Sequence, residues 1–220
     1  MKLVYFLAGV ALFITVLFIP NPMGEWDRIP IVESIVADSG VANAVSGIIF
    51  RNRLYDTVFE VIVFTIAILG VRFLLSDEEP TDNFYRLSDP TSRVLARLGA
   101  TIAAMVSIEL SIRGHLSPGG GFAAGIAGGT AIGLVAMTSS PDKMEKIYQR
   151  WNAAIWEKVS VLVFIILAGI TMMGWELPQG TLGDLFSGGI VPILNFLVAI
   201  KVALGSWAVI LLFIRYRGLL

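Results

Sequence analysis

IVPILNFLVAIKVALGSWAVILLF, running from Ile190 to Phe213, is the stretch that decides the fold. It is longer than the ~20 apolar residues a helix needs to cross a ~30 Å hydrocarbon core. Lys201 stands in its middle, because eleven residues at ~1.5 Å rise place it ~16 Å from the start. A lone lysine at that depth costs ~2.5–3.5 kcal/mol on insertion scales, so it must face a partner, a cavity or an ion path. With Asp56 and Glu60 in a second apolar run, it points to ion or proton transport and away from a plain anchor.

The rest of the composition agrees. The chain has 220 residues, is 56% hydrophobic and has a mean hydropathy of +0.80, far above a soluble domain. Six apolar segments are long enough to consider: Leu3–Ile19, Thr57–Leu75, Val94–Ile112, Gly121–Met137, Val159–Met173 and Ile190–Phe213. They predict an all-α integral membrane protein with about six transmembrane helices. Trp156 and Trp175 flank the fifth as interfacial aromatics do. The first has only Lys2 before it and no small-residue cleavage site after it, so it reads as a retained helix.

With six spans, one side receives Lys2, Arg86, Arg93, Arg97, Lys143, Lys146, Arg150, Lys158, Arg215 and Arg217. The other receives Arg28, Arg51, Arg53 and Arg113. This asymmetry predicts that both termini are cytoplasmic.

Whole classes of function fall away. A net charge of -1 without a basic block leaves no nucleic-acid surface. The absence of cysteine removes disulfides, thiolate-bound zinc and iron–sulfur centres, and a single histidine cannot build a multi-histidine metal or haem site. No catalytic residues and no cofactor are expected on this chain, and any redox chemistry must sit on others.

The acidic stretch 77–93, centred on SDEEPTDNFYRLSDPTS, reads as a linker. It divides a two-helix unit, 1–76, from a four-helix unit, 94–220. An ordinary loop is the plainer reading. IVESIVADSGVANAVSGIIF, ahead of the second span, has helical apolar spacing and fits an amphipathic segment at the interface.

Asp56 and Glu60, four apart in RNRLYDTVFEVIVF, share a helix face at the membrane boundary. Two partly desolvated carboxylates repel, which favours proton or sodium exchange. Equally, Asp56 caps the helix and Glu60 pairs with Arg51 or Arg53. Glu109 and Arg113, also four apart, suit an intrahelical ion pair near the external end of their span. His115 fits proton relay beside a vestibule, or a surface histidine satisfied by water. Gly121, Gly125, Gly129 and Gly133 form a small-residue ridge that lets another helix approach closely. A phosphate-loop reading of these glycines fails, since no G-K-[ST] ending follows.

GHLSPGGGF (Gly114–Phe122) and SGGIVPILNFLVAIKVALG (Ser187–Gly205) resemble the B subunit of Mrp-type multisubunit sodium/proton antiporters. VANAVSGIIFRNRLYDTVFEVIVFTIAILGV (Val41–Val71) resembles the end of the large A subunit, or the separate E-type subunit of membrane-bound hydrogenases. The chain thus resembles a fusion of two pieces. The resemblance implies that Asp56 and Glu60 belong to ion transport, with Lys201, Glu109 and His115 as further ion-translocation candidates. It implies a non-catalytic, multi-pass subunit in a prokaryotic plasma membrane. Implied partners are other Mrp-type subunits, hydrogenase-like or sulfur-reductase redox subunits, sodium ions, protons and lipid. The alternative is a scaffold that docks neighbouring membrane subunits without transporting.

Overall fold

The computed structural model describes residues 6, 7, 9–11, 13, 14, 18, 31–81 and 87–218. Two compact units divide at Ser34 and Ile35. In the first, every described position is helical. The predicted first span, Leu3–Ile19, therefore lies largely outside the described residues. The second unit, Ile35–Leu220, runs across the acidic stretch 77–93 and contains the remaining elements.

Helix α1 (Ile31–Ser39) crosses the division. It is followed by α2 (Ala44–Gly47), a π-helical turn (Ile48–Asn52) and α3 (Leu54–Leu74). The region read as one interfacial segment is thus broken: α1 and Ala44–Asn52 are bent by 64°. Asn43 caps α2, its side chain accepting from the Val45 amide. Thr57 donates to the Ile49 carbonyl at 2.6 Å, giving a partner to an acceptor inside the widened turn.

Among the described residues four helices are long and apolar enough to cross a membrane: α3, α4 (Pro90–Arg113), α7 (Ala153–Met172) and α8 (Val191–Arg217). A fifth span is added if the bent pair counts as one. Helix α5 (Gly120–Ala136) has 17 residues. At ~1.5 Å per residue it spans ~26 Å, about a turn short of the core. Of the six predicted spans four are met in full, this one is short, and the first lies largely outside the described residues. Local chemistry sets the ends. Asp89 caps α4 by accepting from the Ser92 amide at 2.8 Å, with Pro90 in the first turn. Gly119 and Gly120, at φ 143° and 72°, make the turn into α5. Gly218, at φ 63°, ends α8.

One amphipathic helix, α6 (Pro141–Arg150), was not anticipated. Asp142 lies in its first turn and Arg150 in its last, matching the helix dipole. Its apolar face carries Met144, Ile147 and Tyr148 onto Ala136, Ala153, Trp207 and Ile214. Asn152, at φ 48°, then reverses the chain into α7.

Helix α8 is the axis of the bundle. Val191, Leu194, Val198 and Val202 pack with Leu54 and Val61 of α3 and with Phe164 and Ala168 of α7. At its other end Ile214 meets Ala153, so α7 runs antiparallel to it. Along α5 the glycines let α8 close in. A β-carbon at Gly121 would come within 2.9 Å of Val198 Cβ, and one at Gly129 within 2.7 Å of Ser206 Cβ. At Gly133 the nearest atom is 3.5 Å away, ordinary contact. The ridge is filled by this chain's own α8 and presents no free groove to a neighbour.

A buried lysine–glutamate pair between two spans

Lys201 is the eleventh residue of α8 and only 1% exposed. Its ammonium donates to Oε1 of Glu157, the fifth residue of α7, which is 8% exposed. The Phe64 ring of α3 lies 5.3 Å from Nζ, a cation–π contact. Gly205 stands one turn further along α8. A β-carbon there would meet Ile68 Cδ1 at 2.6 Å, Phe64 Cε1 at 2.9 Å and Lys201 Nζ at 3.7 Å. The missing side chain lets two α3 side chains and the ammonium share one space. Away from water each charge is costly, and their attraction offsets this only because they are in contact.

Glu157 is the residue that sequence reading missed. Hydropathy began the fifth span at Val159 and left Glu157 and Lys158 outside. The helix starts six residues earlier, at Ala153, and so carries Glu157 into the bundle. Had the start been drawn at Asn152 and Ala153, a carboxylate would have been found opposite Lys201.

The other candidates lie apart from this pair. Asp56 forms an ion pair with Arg53 at 2.5 Å, at the start of α3. Arg51 is taken by Glu176 at 2.7 Å and Asp38 at 3.3 Å. Glu60 pairs with neither arginine: it is exposed on α3 and has no ion pair or hydrogen bond among the described residues. Glu109 and Arg113 form an exposed pair at 3.1 Å.

His115 is not a surface histidine. It is 0% exposed, and neither ring nitrogen makes a hydrogen bond among the described residues. Burial holds its pKa below the ordinary 6.5, partly opposed by the backbone of Asp184 and Leu185. Two asparagines clamp the loop around it. The Asn43 side chain donates to the carbonyls of Gly114 (3.0 Å) and Ser117 (2.8 Å), and its amide donates to the His115 carbonyl (3.0 Å). Asn195 of α8 donates to Leu110 (3.1 Å) and Ser111 (2.8 Å). It therefore holds the last turn of α4, which leads into this loop, and does not serve Lys201.

A helical bundle with several apolar spans and an ion pair enclosed between two of them defines a multi-pass membrane protein. Residues 91–208, more than half of the chain, match the family described as "Domain related to MnhB subunit of Na+/H+ antiporter". The chain belongs to that MnhB-related family, and both Glu157 and Lys201 fall inside the matched segment.

Two solved structures share the fold. One is a chain of the membrane-bound sulfane sulfur reductase (MBS), an archaeal respiratory membrane complex. It is 24% identical, with a TM-score of 0.72 over 97% of each chain. The other is a chain of the Mrp complex from Dietzia sp. DQ12-45-1b, 18% identical, with a TM-score of 0.66 over 95% of this chain. The present chain spans only 25% of that longer one. No curated protein sequence matches the chain.

Proposed function

We propose that the chain is a non-catalytic membrane subunit of an Mrp-type sodium/proton antiporter module, with Lys201 and Glu157 on or beside its ion path. The module works either as a stand-alone antiporter or within a ferredoxin-oxidising respiratory complex. The observation that carries this reading is the buried Lys201–Glu157 pair inside the MnhB-related segment. A purely structural contact between spans is made more cheaply by apolar residues. Asp56 and Glu60 supply a second group of carboxylates, and Glu60, with no ion pair or hydrogen bond among the described residues, faces a neighbouring subunit or the path itself. The two-piece resemblance is supported by the superposition of 95% of the chain on a quarter of one longer polypeptide.

Sodium/proton exchange in inverted vesicles carrying the whole complex tests the reading. Glu157→Gln and Lys201→Ala each lose exchange while the complex still assembles. Normal exchange in both assembled variants would sink it.

One observation favours the scaffold alternative. Between α7 and α8 the chain presents Phe186 at 90% exposure, with exposed Leu182 and Leu185 close by in sequence. On that reading Phe186→Asp releases the neighbouring subunits, and the charge-neutral changes leave transport intact.

A further inference from the structure

The basic side chains at the two ends of the bundle differ in how they are paired. At the end where α3 begins and α4 finishes, Arg51, Arg53 and Arg113 each hold an acidic partner. At the other end, where α3 and α8 finish and α6 packs, Arg215 pairs with Glu145 and Arg217 with Glu78. Arg72, Lys143, Lys146, Arg150 and Lys158 are exposed there and hold no ion pair or side-chain hydrogen bond among the described residues. Trp151 and Trp156, 69% and 60% exposed, stand at the same end, beside Ala153 and its contact Ile214. Such rings settle at the headgroup level of a bilayer.

Two of the cations share a cleft of about 170 Å³ between the last turn of α3, α6 and the last turns of α8. Arg72, Arg215 and Glu145 line it, with Leu211 and Leu212 as part of its wall. At ~30 Å³ per molecule the space equals on the order of five waters, enough for one phosphate group. Two arginines against one glutamate leave a single positive charge, the complement of one phosphodiester. Arg215 gives Nη1 to Glu145 at 3.2 Å and keeps its other donors. Arg72 keeps its whole donor fork, whose spacing suits two phosphate oxygens.

The side chains around the cations grade from charged to apolar as those around a lipid must. Leu69 precedes Arg72 by three residues, and Leu211 and Leu212 precede Arg215 by four and three. Each cation therefore has an apolar side chain one turn deeper on its own helix face. Leu69 is 54% exposed, and Phe73, next to Arg72, is 79% exposed. A soluble anion would leave that apolar surface in water, whereas acyl chains cover it.

We propose that this cleft binds the phosphate of an anionic phospholipid. Arg72 and Arg215 hold the phosphate, and the acyl chains run along Leu69, Leu211 and Leu212. The site does not use Lys201 or Glu157, so it stands or falls apart from the ion-path reading.

The test uses the complete complex in phosphatidylcholine vesicles that carry a phosphatidylglycerol with a photoactivatable acyl chain. Labelled residues are mapped by mass spectrometry. Label is expected on this chain at Leu69, Phe73, Leu211 or Leu212, displaced by unlabelled phosphatidylglycerol and not by inorganic phosphate. Arg72→Gln breaks no ion pair among the described residues, so the complex still assembles. It lowers the label at least about tenfold, as loss of a charged hydrogen-bonding partner implies. Lys146→Gln removes the same charge outside the cleft and keeps most of the label. Parent-level label in Arg72→Gln overturns the site, and equal losses in the two variants replace it with a diffuse field. Displacement by inorganic phosphate assigns the cleft to the free ion and overturns the lipid. Label absent from these residues in the parent shows that a neighbouring subunit covers the cleft, and overturns it too.

Discussion

Replacing Glu157 by Gln while Lys201 remains strands an ammonium that is 1% exposed between α7 and α8. Opposite charges at ~4 Å and an effective dielectric of ~20 attract by ~4 kcal/mol. Removing one partner of such a pair costs ~3–5 kcal/mol, because the other charge stays desolvated. Lys201→Met, leaving the 8%-exposed Glu157 alone, costs a similar amount. At ~2–4 °C per kcal/mol for a chain of this size, each single change lowers the melting temperature by on the order of 10 °C. The double variant Glu157→Gln/Lys201→Met removes both charges and preserves volume, so it returns to within ~1–2 kcal/mol of the parent. Thermal unfolding of the purified complex in detergent, read through a label on this chain, measures all three. Single variants within ~1 kcal/mol of the parent, or a double variant as unstable as either, would refute a paired, desolvated site.

Gly125→Ala drives a β-carbon into Val202 and to within 2.9 Å of the Ala199 carbonyl. It is expected to lower stability by ~1–3 kcal/mol, whereas Gly133→Ala, whose β-carbon would rest in ordinary contact 3.5 Å from Ile210 Cδ1, is neutral in the same melt. Asn43→Ala removes the donor to the Ser117 carbonyl and one of the two to the Gly114 carbonyl, which keeps Ser46 Oγ at 2.6 Å. It costs ~2 kcal/mol, visible as faster amide exchange across residues 114–119. His115 gives a pH signature. Its folded pKa lies below 6.5, so as pH falls through ~6.5 the unfolded chain binds a proton that the folded chain refuses. Stability is complete above that value and declines below it by at most ~1.4 kcal/mol per pH unit, and His115→Gln flattens the profile between pH 5 and 8. Glu60→Gln, which breaks no ion pair among the described residues, leaves the melting temperature unchanged while exchange activity falls. A melt lowered by several degrees would show that Glu60 has a structural partner.

Lys201 was legible because depth in an apolar run is a linear quantity. Eleven residues of rise are enough to show that its charge is out of place. Its partner was not legible, since a hydropathy profile trims charged residues from the ends of spans, and Glu157 lies in the first turns of α7. The glycine ridge was legible as a period of four. Which helix fills it was not, because small residues invite any close approach and carry no address. His115 shows the same limit. A polar residue beside three glycines and a proline reads as a loop, and the loop is there. It is buried where Asn43, 72 residues before it, bonds the loop and Asn195, 80 residues after it, bonds the end of α4 that leads in.

By itself the sequence determined an all-helical membrane chain, a lysine in need of a partner, and the family through GHLSPGGGF and the final span. These properties depend on local periodicity, transfer cost and motif spacing, all of which are counted along the chain. It took the packed helices to show that Lys201 meets Glu157 and that Glu60 has no ion pair or hydrogen bond among the described residues. Those outcomes depend on how antiparallel helices are rotated and shifted against one another. That rotation and shift come from packing around Gly121, Gly125 and Gly205, whose missing side chains allow an approach that no linear pattern records.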